Sequence, residues 1–113
     1  MTNKTIFQKI IDKEIPSTII FEDDFCIAIE DIAPAAPIHI LLIPKILINK
    51  ISDSNIDHQD LLGHLLLKVG DISRLLNIED SFNVIINNGE KAGMTVPHLH
   101  LHIISGKKLS FTS

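Results

Sequence analysis

Residues 97–105 read Pro-His-Leu-His-Leu-His-Ile-Ile-Ser, and the alternation of polar and apolar side chains in this run decides the fold. In an extended chain, residues two apart project to the same side. His98, His100 and His102 therefore share one face of a predicted strand over Pro97–Ile104, and Leu99, Leu101 and Ile103 share the other. Such a strand has a core side and a chemical side. Half of the chain's six histidines fall in this one run, which packing alone does not explain.

The layer that covers the apolar side is legible upstream. Leu61, Leu62, Leu65, Leu66, Val69, Ile72, Leu75 and Leu76 recur at three- and four-residue steps, the spacing of one amphipathic helix beginning near Asn55 or Asp57. Gly63 and Gly70 lower its helix propensity and are expected to allow close approach to a strand or a partner chain. Phe82–Asn87 reads as a strand. The connection Asn88–Val96 carries Gly89 and Gly93, which suit a tight loop able to cover the histidine face.

Toward the N-terminus, Ile6, Phe7, Ile10 and Ile11 fall at helical intervals, with Thr5 as N-cap and Pro16 closing the segment. Thr18–Glu22 and Phe25–Glu30 read as a hairpin turning at Asp23 and Asp24. Asp31–Pro37, with two prolines, is a loop, and Ile38–Ile43 is a third strand ending at Pro44. This order predicts an α+β fold, with a five-stranded, mostly antiparallel sheet and one short and one long helix.

The 113 residues, 45% hydrophobic and 21% charged, are expected to form a single domain over 1–113 with a substantial core. The only aromatics are five Phe, so that core is built from Ile and Leu. A net charge of −4 with scattered basic residues argues against duplex nucleic acid as a partner. No run of about twenty apolar residues spans a membrane, and Met1–Lys13 lacks the features of a secretory signal; a soluble, cytoplasmic protein is expected. Cys26 has no second cysteine to pair with, which argues against an internal disulfide and, with no second sulfur nearby, against a zinc site of the cysteine kind, and it reads as a buried strand residue in a reducing compartment. His58 and His64, on or near the long helix, are expected to face solvent.

Two chemistries fit the facing imidazoles. One is metal binding, for which histidines at i and i+2 on a strand are suited, although no carboxylate or thiol lies within the run. The other is nucleophilic attack on phosphorus by the central ring, with its neighbours donating to phosphate oxygens. Crowding of the rings opposes their protonation and keeps the nucleophile neutral.

The run His98–His102, preceded by Asn87-Asn88-Gly89 and Ala92-Gly93, resembles the signature of the histidine-triad (HIT) family. Further matches to its HINT-like branch include Lys13-Glu14-Ile15-Pro16, Asp31-Ile32-Ala33-Pro34 and Ala36-Pro37-Ile38-His39. The resemblance implies a HIT-fold homodimer, with two sheets joined, that acts as a purine nucleoside phosphoramidase without a cofactor or a catalytic metal. By the same resemblance, His100 is the nucleophile, His98 and His102 flank it, and His39 is a fourth histidine near the site. Asp31 binds the ribose hydroxyls, Ile6, Phe7, Ile10 and Ile32 wall the purine, and Asn87 and Thr95 hold the phosphate and leaving group. Dinucleoside polyphosphate hydrolysis, nucleotidyl transfer and non-enzymatic nucleotide binding are the alternatives. Three departures bear on leaving-group specificity: Leu47 where relatives carry a histidine expected near His39, Met94 where glutamine is frequent, and a tail ending at Ser113 without the Trp-Pro-Pro of some relatives.

Overall fold

The computed structural model describes residues 3–110; the last residues of the tail singled out above lie outside them. A short helix α1 (Ile6–Ile11) is followed by strands β1 (Ile19–Glu22), β2 (Cys26–Glu30) and β3 (Ile38–Pro44), helix α2 (Gln59–Leu75), and strands β4 (Asn83–Ile85) and β5 (Leu101–Ser105). The strands form one sheet in the order β1-β2-β3-β5-β4, and every neighbouring pair is antiparallel. The α+β architecture read from the sequence is the one observed, and its sheet is antiparallel throughout.

Local chemistry accounts for the element ends. Thr5 opens α1 with a capping box, its hydroxyl accepting from the Gln8 N–H at 3.1 Å while the Thr5 N–H donates to Gln8 Oε1 at 2.7 Å. The β1–β2 turn is held by Asp23, whose Oδ1 accepts from the Phe25 and Cys26 N–H groups, both at 2.8 Å. Asn55 caps a 3₁₀ turn over Ile56–His58 rather than α2 itself, so the α-helix begins at Gln59.

Two strand boundaries differ from expectation for one reason. The β3–β5 register pairs Leu42 with Leu101 and would bring Leu99 opposite Pro44, which has no N–H to offer the ladder. The chain leaves the sheet there, and the Leu99 N–H donates to the Ile48 carbonyl instead. β5 therefore starts at Leu101 rather than Pro97, and His98 and His100 precede the strand. β4 shortens to match, because its pairing ends at Ile85–His102 and Asn87 has no partner beyond it. At the helix glycines, a side chain at Gly63 would meet nothing within 4 Å, and one at Gly70 would meet only the Arg74 guanidinium. Neither packs against a strand.

Each face of the sheet carries its own core. Cys26, Ala28, Ile40, Leu42, Leu101 and Ile103 pack beneath Leu65, Val69 and Ile72 of α2. On the opposite face Ile27, Ile29, Leu41 and Ile43 pack against Phe7 and Ile10 of α1. Among the described residues, no helix is long and apolar enough to cross a membrane.

Candidate active site

The α1 face is short of helix. Six residues of α1 cannot cover five strands, and a cavity of about 520 Å³ is left beside it. Its walls include Ile6, Phe7, Ile10 and Ile32, together with Leu41 and Val96, and its polar groups include Asp31, Thr95, His100 and His102. Ile32 is 95% exposed, an apolar side chain in water at the cavity mouth.

Hydrogen bonds fix which nitrogen of each ring carries the proton. His100 Nδ1 lies 2.7 Å from the His98 carbonyl, an acceptor, so Nδ1 is protonated and Nε2 keeps its lone pair. The Ala35 N–H donates to His39 Nδ1 at 3.0 Å, which leaves the His39 proton on Nε2. That proton is donated to His102 Nδ1 at 2.8 Å, and His102 must then carry its own on Nε2. No fully buried side-chain nitrogen lacks a partner, so the two nitrogens without one, Nε2 of His100 and Nε2 of His102, are open to the cavity. With the ring centroids 4.9 Å apart, a lone pair and an N–H donor stand side by side.

His98 is placed differently from its neighbours. It is fully buried, its Nε2 donates to the Pro44 carbonyl at 2.8 Å, and its Nδ1 meets the Thr5 hydroxyl at 3.3 Å. Both nitrogens are occupied, and the ring does not line the cavity; it anchors the chain where β5 cannot pair. The three rings still lie on the α1 side, with Phe7 edge-on to His98 and His100 at 6.1 and 4.9 Å.

Burial pushes the pKa of His98 and His100 down, with His100 contributing to the shift at His98. His102 is lowered to about 4, first by burial and then by the neighbouring His100 and His39. The rings are neutral near pH 7, and burial rather than crowding is the leading cause.

Other sequence expectations fare unevenly. Asp31 reaches the cavity, with Oδ2 3.4 Å from His39 Nε2 and Oδ1 accepting from the Ala33 N–H. Thr95 lines this cavity and also a second cleft with Met94, Lys50 and Glu90. Asn87 does not line the cavity; its amide lies against Gly93, 3.8 Å from where a side chain there would begin. Leu47 lies beyond the end of β3 while His39 is at its start, roughly 16 Å of strand away from Pro44, so the position is not near His39 within one chain. Leu47 is 48% exposed. His58 accepts from the Asn55 N–H, and His64 pairs with Asp23 at 2.7 Å; neither simply faces solvent. The backbone partners at Ala35 and Pro44 left no mark in the sequence pattern, whereas Thr5 was visible as a cap but not as a partner of His98.

Asp31, His39 and His102 bring three ligand atoms within 4.8 Å of one another, the carboxylate that the histidine run itself lacked. The tautomers oppose a metal there. Ala35 holds the His39 Nδ1 lone pair, so Nε2 bears a proton and has none to offer an ion.

A family model described as HIT domain matches residues 12–109. The chain belongs to the HIT family. Over 111 residues it is 49% identical to a HIT-like protein of Synechocystis, covering 98% of this chain and 97% of that protein. It is 41% identical over 109 residues to adenylylsulfatase HINT1 of Arabidopsis thaliana, covering 95% and 74% respectively. The crystal structure of a HIT family hydrolase from Legionella pneumophila matches with a TM-score of 0.92 at 34% identity, covering 96% of this chain and 97% of that one.

Proposed function

We propose that this HIT protein hydrolyses purine nucleoside 5′-phosphoramidates and related mixed anhydrides at the α-phosphorus, through a covalent intermediate on His100. One observation carries the reading: the bare Nε2 of His100 beside the N–H of His102, at the end of an apolar cavity holding a carboxylate. His100 Nε2 attacks phosphorus and the bond to the leaving group breaks; an amine leaving group takes up a proton from solvent, balanced by the proton that the attacking water gives up in the second step, and an acid leaving group departs as its anion. The donor on His102 stabilises charge on the phosphoryl oxygens. Water then attacks the phosphohistidine, releasing the nucleoside monophosphate and restoring the ring. Asp31 is suited to accept from two ribose hydroxyls, and Ile6, Phe7, Ile10 and Ile32 make a slot for a flat base. Thr95 is placed to meet the phosphate or leaving group, and Asn87 acts at most through the Gly93 loop.

The Arabidopsis relative bears the name of an enzyme acting on a phosphate–sulfate anhydride, which supports the mixed-anhydride half of the proposal. Dinucleoside polyphosphate hydrolysis or nucleotidyl transfer would use the same two rings. We place the whole chain, 1–113, in one cytoplasmic domain that pairs as a homodimer. Its surface offers the open edge of β4 with Val84 and Ile86, and the exposed Leu66 and Leu67 of α2, apolar groups that a second copy would cover. Single-turnover release of AMP from an aminoacyl-type phosphoramidate tests the activity. Release that exhaustive chelation leaves unchanged is expected, whereas tight AMP binding without turnover would make the protein a nucleotide binder.

A further inference from the structure

Asp23, Cys26 and His64 converge on the other face of the sheet. Asp23 lies in the β1–β2 turn, Cys26 is the first residue of β2, and His64 reaches across from the second turn of α2. Cys26 Sγ donates to Asp23 Oδ1 at 3.4 Å, and His64 Nε2 lies 2.7 Å from Asp23 Oδ2. One ligand atom from each residue falls within 4.8 Å of the others. We propose that these three side chains form a binding site for a zinc ion, with water as fourth ligand, that ties α2 to the β1–β2 hairpin.

The donor set and its spacing both point to zinc. A thiolate, an imidazole and a carboxylate together suit a borderline-soft ion, and calcium or magnesium would not select the sulfur. Ligands held tetrahedrally at about 2.0–2.3 Å from zinc lie roughly 3.3–3.7 Å apart. The sulfur lies 3.4 Å from Asp23 Oδ1 and the imidazole nitrogen 2.7 Å from Oδ2, and three ligand atoms already within 4.8 Å of one another reach tetrahedral separations through small side-chain movements. Its side chain and that of Asp23 are about a quarter exposed, at 27% and 23%, so the ion has an entry path and room for water.

Unlike His39, whose Nδ1 lone pair is held by the Ala35 N–H, His64 is free to change tautomer. His64 Nδ1 has no hydrogen-bond partner among the described residues, so the ring can carry its proton there and turn the Nε2 lone pair to the metal. Phe25 packs edge-on against the ring at 5.0 Å, limiting its swing. Burial and the Asp23 carboxylate hold the free Cys26 thiol up to about 12, so it carries a proton until an ion replaces it: one zinc enters and one proton leaves. Lys45 and Lys68 act on the sulfur in the opposite sense, stabilising the thiolate while repelling the cation. In the sequence the lone cysteine argues against a cysteine-type zinc site; the fold brings a carboxylate and an imidazole to that one sulfur, and a mixed donor set needs no second thiol.

Cobalt(II) titration of the full chain tests the site. One equivalent is expected to give the near-ultraviolet thiolate-to-cobalt band, lost in Cys26→Ser and in His64→Gln and kept in His39→Asn. Zinc at a hundredfold excess over its Kd is expected to raise Tm by roughly 5–15 °C, and by nothing in His64→Gln, a partly exposed position at which folding is retained. Absence of the band from the unaltered protein overturns the proposal. So does a band or thermal shift that survives His64→Gln but disappears in His39→Asn.

Discussion

Beneath α2 the sheet presents Ala28, Leu42, Leu101 and Ile103; beneath α1 the same stretches of chain present Ile29, Leu41, His100 and His102. A seventeen-residue helix seals the first face and a six-residue helix leaves the second part open. On the α2 face contact is made by apolar area, which has no direction. On the α1 face every ring nitrogen except Nε2 of His100 and Nε2 of His102 is met by a backbone or side-chain atom, which fixes each ring's orientation and tautomer. The larger apolar cluster lies on the α2 face and the open cavity with its imidazoles on the α1 face, with β2, β3 and β5 shared between them.

That division is open to attack from either side. His100→Ala is expected to lower kcat by about 10³-fold or more while AMP binding stays within about tenfold, because binding resides in Asp31 and the cavity walls. Steady-state rates and equilibrium titration check it; a rate near that of the unaltered protein would remove His100 from the chemistry. Leu65→Ala, on the buried face of α2, is expected to do the reverse. It should cost about 2–5 kcal/mol in denaturant unfolding and leave kcat/KM of the folded enzyme within a few-fold, and a large kinetic loss would show that the faces are not separable.

Acid sharpens the comparison, since every histidine lowered by burial is on the α1 face. In the unfolded chain these imidazoles take up protons near pH 6.5, and in the folded protein at lower pH, His102 at about 4. Between those values the unfolded state holds more protons, so stability is expected to fall steadily as pH drops from about 6.5 to about 4. Denaturant midpoints across that range test this, and a flat profile would contradict the burial of neutral rings. The smallest effect is expected for Thr5→Val, which removes both the cap of α1 and the hydroxyl beside His98. A loss of about 1 kcal/mol, with little change in kcat, is expected from unfolding curves and rates.

Much of this was legible in the sequence because period reports on burial. The leucine spacing gave α2 its face, and the alternation from Leu99 to Ile103 assigned sides to the final strand before any partner was known. Where pairing depends on a neighbour, the pattern was silent: β5 begins late because Pro44 stands opposite Leu99, two segments far apart in the chain. Residue type and resemblance singled out His100 as nucleophile and its neighbours as donors, but not the tautomers that suit them to those roles, since these are set by the His98 carbonyl and the Ala35 N–H. Every residue has such groups. His98 illustrates the limit, for the same alternation that marks a triad placed one member in the core.

The central claim is that His100 Nε2 becomes bonded to phosphorus. Rapid mixing of enzyme with a nucleoside phosphoramidate, quenched in base to preserve phosphohistidine and examined by intact mass and peptide mapping, tests it directly. The account predicts a transient adduct of one nucleoside monophosphate per chain, located at His100, formed at least as fast as turnover and absent from His100→Ala. Turnover without any adduct at any time, or an adduct located on His102, would contradict it.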